Sequence, residues 1–379
     1  MRSTRYMRST RILTLITALL LVAAACGDSD EGGSATTDEG GSATTAATTT
    51  TTQPGATTTQ APDTTTTTEP VELEKVGVML DWLPGAVHLP FWAAKANGYF
   101  EEQGLDVELI PGKGSSAAAQ GVAAGVEYFG FADSAAVAAV IAQDGEIRMV
   151  GVLLQNAPWS IDYFCDSGIE TPADLEGKTI AGASWTANWF FLGALLNQFD
   201  LEFGPDVTQL IVDPAAQNIA VFEGLADARV AIAYDRGFAI QAERETGREA
   251  CTLLYTDFGV EVLGHGLVTQ SATIESNPDL VRRFVTAWVQ GIEAAVADPT
   301  SARQAMQAVH PEVTDEEVDL AWPFITQVLH TNQSQGEPYG WMSPVDWANT
   351  LDQWVEFGIV EERLDPDSTY FTNEFIPTG

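Results

Sequence analysis

From Lys75 onward the apolar positions form short runs separated by stretches of helical period. Val76–Leu80, Leu105–Ile110, Tyr128–Ala132 and Ile147–Leu154 are predicted strands. Between them Val87–Phe100, Ser115–Ala124 and Ser134–Gln143 repeat apolar residues at helix spacing. A second set follows, with predicted strands at Lys178–Ala181, Thr208–Val212, Arg229–Ala233 and Cys251–Tyr255. Its predicted helices are Trp185–Phe199, Ala215–Leu225 and a segment ending near Thr246. Val262–Thr269 is a further apolar run, and the rest is predicted helical: Pro278–Ala297, Thr300–Val309, Thr314–Leu329 and Pro344–Phe357. Short strands alternating with helices predict parallel sheets covered on both faces. Two such sets flanking a cleft make a clamp, and in open α/β sheets a ligand sits at the carboxyl ends of the strands.

The first seventy or so residues follow another pattern. Residues 1–11 carry four arginines and no acid, and Ile12–Ala25 is an apolar run broken only by threonines. That run is short of the roughly 20 residues a membrane-spanning helix needs, and it fits the apolar part of a secretory signal. It ends Ala23-Ala24-Ala25-Cys26-Gly27, which resembles a bacterial lipobox, with Ala23 where leucine is usual. The expectation is a signal over 1–26 and a lipid on Cys26. Residues 27–72 are Gly, Ser, Ala, acids and threonine runs with no apolar period, so a disordered tether is expected there.

The residues that follow the predicted strands are the candidates for chemistry. Asp81 and Trp82 follow the first strand; Ser115 opens a helix after the Pro111–Gly114 loop; Asp133 follows the third strand; Asn156 and Trp159 follow the fourth. In the second set Trp185 and Trp189 share one helix face, and Asp235 follows the strand ending at Ala233. Each tryptophan is either a core residue or a stacking face for a flat ligand. Ser115 is either an N-cap or part of an anion site at a helix start. The acids near the strand ends outnumber Lys113 and Arg236, so a neutral or cationic heterocycle bearing amino groups suits the cleft better than a polyphosphate.

The charge balance sharpens this. The formal net charge is −36, a field that repels nucleic acid and anionic membrane surfaces. His88, His265, His310 and His330 show no metal-ligand spacing, and there is no G-x-S-x-G elbow and no C-x-x-C pair. No metal, no cofactor and no enzyme activity are therefore expected. Cys165 and Cys251 are either one disulfide, allowed outside the cytoplasm, or two separate thiols.

At Asp81-Trp82-x-Pro84-x-x-x-His88 the chain resembles the NMT1/THI5-like (SsuA/THI5-like) substrate-binding proteins. The likeness continues through Asn97-Gly98-Tyr99-Phe100, Gly104-Leu105-Asp106-Val107, Pro172-Ala173-Asp174-Leu175-Glu176-Gly177-Lys178 and Asn277-Pro278-Asp279-Leu280. The resemblance adds His88 to the candidate site. It implies an α/β, type II periplasmic-binding-protein fold: two βα lobes joined by two crossover strands, near Ile161–Cys165 and Val262–Val268, with a helical C-terminal part. Lobe 1 is then 73–162 with 264–379, and lobe 2 is 163–263. The implied role is the extracytoplasmic, membrane-anchored binding component of an ABC importer. It would act as a monomer with a permease and a cytoplasmic ATPase, touching the membrane only through its lipid. Family ligands include thiamine-precursor pyrimidines, flavins, sulfonates and aromatic carboxylates; the tryptophans and acids favour a pyrimidine or flavin. One branch of the family is a pyrimidine synthase with a cysteine-rich motif and a cofactor lysine. Here there is no cysteine cluster, and the lysines are Lys75, Lys95, Lys113 and Lys178.

Overall fold

The computed structural model describes residues 72–183 and 187–378. Cys26, the expected signal and tether, and Trp185 lie outside the described residues. Ten strands are described: β1 (Glu74–Met79), β2 (Leu105–Ile110), β3 (Phe129–Asp133), β4 (Ile147–Val152), β5 (Trp159–Phe164), β6 (Thr179–Gly182), β7 (Thr208–Ile211), β8 (Ala228–Ile232), β9 (Ala250–Leu254) and β10 (His265–Gln270). They form two five-stranded sheets, ordered β2-β1-β3-β10-β4 and β7-β6-β8-β5-β9. Each sheet is parallel except where a strand arrives from the other lobe: β10 runs antiparallel to β3 and β4, and β5 antiparallel to β8 and β9.

The helices covering the first half of the chain are α1 (Leu89–Ala96), α2 (Tyr99–Glu102), α3 (Ser115–Ala123), α4 (Ser134–Ile141), α5 (Ala187–Gln198), α6 (Gln217–Phe222) and α7 (Gly237–Thr246). The C-terminal part adds α8 (Ser271–Ser276), α9 (Pro278–Ala297), α10 (Thr300–Val309), α11 (Asp315–Gln327), α12 (Pro344–Glu356) and α13 (Pro366–Thr369). The predicted helix Val87–Phe100 is divided. Pro90 fits only the first turn, so α1 begins at Leu89, and Gly98 takes φ 75°, which ends that helix before α2. The helix expected from Pro278 stands: Asn277 caps it by accepting from the Leu280 N–H, with Pro278 in the first turn.

The lobe boundaries differ from the expectation. β5 pairs along its whole length within the second sheet, from Trp159–Ile232 to Phe164–Ala250, so residues 159–162 belong to the second lobe. The chain crosses between lobes over 153–158 and returns over 255–264. Periodicity hid β5 because Ser160 and Asp162 alternate with apolar residues, yet all six positions are buried. One core cluster spans both sheets, from Met149 and Val152 through Trp159 and Ile161, and includes Trp347, Leu351 and Trp354 of α12. A second cluster joins the first sheet to α1 and α9 through Phe91, Phe131 and Trp288.

Cys165 and Cys251, at the ends of neighbouring strands β5 and β9, are joined by a disulfide with Cα atoms 4.9 Å apart. Among the described residues no helix is long and apolar enough to cross a membrane.

Candidate ligand-binding site

Four strands of the first sheet end at one place. β1 leads into Asp81, the β2 loop into Ser115, β3 ends at Asp133, and β10, running the other way, begins at His265 opposite Asp133. The β2 loop is locked down by its backbone: the Gly112 N–H donates to Trp82 O at 3.0 Å and the Gly114 N–H to Asp81 O. A Cβ on Gly112 would stand 1.8 Å from Leu80 O, so only glycine permits this approach.

The side chains that converge are Asp81, His88, Ser115, Asp133 and His265. Gly85 N–H donates to His88 Nδ1 at 3.2 Å, which leaves the ring proton on Nε2. That nitrogen donates to Asp81 Oδ1 at 2.7 Å. The other carboxylate oxygen of Asp81 faces His265 Nε2 at 3.3 Å, and Ser115 Oγ lies 3.4 Å from the same nitrogen. His265 Nδ1 is 3.8 Å from Asp133 Oδ2, while Asp133 Oδ1 caps α4 by accepting from the Ala135 N–H at 2.9 Å. Phe131 supports both imidazoles, His265 in a stack and His88 edge-on.

Burial and charge set the protonation states. Burial opposes ionisation of Asp81, but His265 and His88 outweigh it and hold the carboxyl well below the usual range. For His265, burial disfavours the cation, yet Asp81 and then Asp133 raise its pKa above the ordinary value. Burial raises the Asp133 carboxyl; His265 and the Ala135 amide oppose this and Asp81 adds to it. Across the cleft, Tyr234 follows β8 and packs against the first-lobe cluster. Burial, then Asp81, Asp133 and Asp235, raise its phenol well above the ordinary value.

Two of the sequence candidates, Trp159 and Trp189, lie elsewhere. Trp159 is buried and stacks on Phe191 of α5 at 3.8 Å, and Trp189 is buried against Phe203 at 5.0 Å. Both face core: Trp159 turns from β5 onto α5, and Trp189 turns from α5 onto Phe203 in the segment that follows it. Asp235 is tied to Arg229 at 3.1 Å. Asn156 is half-buried in the crossing segment, and Trp82, beside Asp81, is 49% exposed. His265 and Tyr234 were not among the sequence candidates. Tyr234 stands at a strand end and was open to selection by that rule; His265 enters through an antiparallel strand from distant sequence.

Residues 86–302, more than half of the chain, match the profile of a family described as NMT1/THI5 like. The chain belongs to the NMT1/THI5-like family. Its relatives include a formylaminopyrimidine-binding protein from Halalkalibacterium halodurans, 24% identical over 76% of this chain and 89% of that protein. The riboflavin-binding protein RibY from Chloroflexus aurantiacus is 24% identical over 81% of this chain and 87% of its own. A 4-amino-5-hydroxymethyl-2-methylpyrimidine phosphate synthase of Saccharomyces cerevisiae, THI13, is 22% identical over 64% of this chain and 73% of its own. Among solved structures, the periplasmic aliphatic sulphonate binding protein SsuA from Escherichia coli superposes with a TM-score of 0.60, at 13% identity over 81% of this chain and 94% of its own. The NMT1/THI5-like chain described here therefore has the periplasmic-binding-protein fold.

Proposed function

We propose that this protein is the extracytoplasmic solute-binding component of an ABC importer and that its ligand is a flat heterocycle bearing an amino group. One observation carries the ligand class. Asp133 Oδ2 and His265 Nδ1 lie side by side at the strand ends, each on a residue at least nine-tenths buried, and neither has a hydrogen-bond partner. A buried polar atom without a partner costs about 1–3 kcal/mol. A ligand that gives Asp133 an N–H and meets His265 with its own ring atom recovers that cost. A sulfonate or carboxylate would instead meet the charges of Asp81 and Asp133. The two binding-protein relatives, named for a formylaminopyrimidine and for riboflavin, agree with this class.

Binding rather than synthesis is favoured by the lysines. Lys95 donates to Val107 O and Lys178 to Ser167 O, away from the cluster, and Lys75 and Lys113 are exposed. The test is to identify by mass spectrometry what co-purifies with the untreated protein, then to titrate formylaminopyrimidine, hydroxymethylpyrimidine, riboflavin, taurine and an aromatic carboxylate. Submicromolar binding of a heterocycle, lost in Asp133→Asn, is the expected result; tight binding of taurine or the carboxylate alone would sink the ligand class.

The protein acts beside a membrane permease with its ATPase, held by a lipid on Cys26. The support is the apolar run ending in the lipobox-like Ala24-Ala25-Cys26. Cys26→Ser is expected to move the protein from the membrane to the soluble fraction; unchanged fractionation removes the anchor from the reading.

A further inference from the structure

The loop Ala233–Gly237, which follows β8, brings Tyr234 of the second lobe against first-lobe residues. Three of its residues are held by three different partners. Asp235 is bound from behind by Arg229, which is buried in the sheet. Arg236 crosses to the first lobe, its guanidinium 5.0 Å from the ring centre of Phe324 on α11. Tyr234, between the anchored strand and Asp235, packs against the first-lobe cluster. Farther along α7, Arg244 pairs with Glu316 of α11. Arg236 and Arg244 stand about two turns apart at one end and along α7, and Phe324 and Glu316 stand the same distance apart on α11 in the opposite chain direction. The two contacts thus pair α7 and α11 in opposite chain directions through long side chains. Arg244 and Glu316 are largely exposed, so this contact is open to screening by salt.

We infer that Tyr234 is the ligand-contacting residue of the second lobe and that an α7–α11 latch, Arg236 on Phe324 with Arg244 on Glu316, sets it over Asp81, Asp133 and His265. The inference rests on the binding role proposed above and deepens it. Because burial and three carboxylates keep the phenol protonated, its hydroxyl is a donor. In the first lobe Asp133 Oδ2 is an unpartnered acceptor. A donor from one lobe and an acceptor from the other match a ligand edge that carries a ring nitrogen or carbonyl next to an amino group. Closing the lobes is then what completes recognition, and the latch residues hold that closed pairing without touching the ligand.

Hydrogen exchange of the full chain separates the latch from the ligand. With no ligand added, Arg236→Gln together with Arg244→Gln is expected to speed amide exchange of the Asp81–His88 segment roughly tenfold, the effect of losing one cation–π contact and one exposed ion pair. Arg248→Gln, whose pair with Asp166 lies within the second lobe, keeps the parent rate. Exchanging the charges, Arg244→Glu with Glu316→Arg, restores protection relative to Arg244→Glu alone. Unchanged exchange in the double glutamine variant overturns the inference, whatever any ligand does. In the second arm riboflavin and formylaminopyrimidine are the probes, and Tyr234→Phe weakens whichever the parent binds by about tenfold. Unchanged affinity overturns the contact. If the parent binds neither probe while exchange responds as expected, the proposed ligand class fails and the latch stands.

Discussion

The two lobes each bury a group of carboxylates with cations, and the two groups differ in completeness. In the second lobe Arg229, Asp162 and Thr252 lie in one row across β8, β5 and β9. Arg229 donates to Asp162 Oδ2 at 3.0 Å and Thr252 donates to Asp162 Oδ1 at 2.8 Å, so both carboxylate oxygens are satisfied. In the first lobe Asp81, Asp133 and His265 come from strand ends and His88 from the turn before α1, and Asp133 Oδ2 and His265 Nδ1 are left over. Neighbours within a sheet are placed by its hydrogen bonds and can pair fully. Groups that converge from separate strand ends have no ladder to pair them, and a further molecule can complete them. The two carboxylates differ in this respect: Asp162 has both oxygens satisfied, and Asp133 keeps one unpaired.

The sharpest way to break this comparison is Arg229→Met. Asp162 would stay buried without its cation, and removing one partner of a buried pair costs about 3–5 kcal/mol. Thermal or denaturant unfolding should show that loss, and adding Asp162→Leu should recover much of it, since an apolar pair of similar volume is often as stable. A loss within about 0.5 kcal/mol for Arg229→Met would mean that the row is not the scaffold described. Because Arg229 also holds Asp235, the same variant should weaken ligand binding.

A smaller effect separates the first-lobe cluster by pH. Asp81 is depressed in the folded state, so its contribution is present above its unfolded value, about 4, and is lost as pH falls through the folded value. His265 is raised, so its contribution is complete below about 6.5 and is lost as pH rises through the folded value. Asp133 is raised as well, so its ionisation removes stability as pH climbs through its own folded value. Parent stability relative to His265→Gln should therefore be greatest near pH 5, by roughly 1.5–3 kcal/mol for a charged hydrogen-bonded group, and should shrink at alkaline pH. Melting temperatures of both proteins across this range give the answer. A difference that does not change with pH would show that His265 carries no charge in the folded protein.

Part of the site was legible along the chain. Asp81, Ser115 and Asp133 follow predicted strands, and the carboxyl-end rule selects them; His88 came with the Asp81–His88 motif. Trp159 and Trp189 were misplaced by the same rule. Position after a strand says which end of the sheet a residue occupies, and it is silent on which way the ring turns. Both rings turn into the core, against Phe191 and Phe203. The strand at β5 came from the resemblance and not from periodicity, because a buried ion pair on one face looks, in sequence, like the polar face of a half-exposed strand.

Alternation of short apolar runs with helical segments was sufficient to determine two α/β lobes, since periodicity is a local property and survives without contacts. The Pro111–Gly114 loop and the helix start at Ser115 were likewise legible, whereas the division of Val87–Phe100 at Gly98 was not. What only the tertiary structure decided is which residues meet. Asp133 and His265 are far apart in the chain and become neighbours because β10 returns antiparallel from the other lobe; Tyr234, after β8 of the second sheet, packs against first-lobe residues. Such meetings depend on strand order and lobe packing, which are set by the sum of many buried contacts, and no local stretch of sequence records that sum.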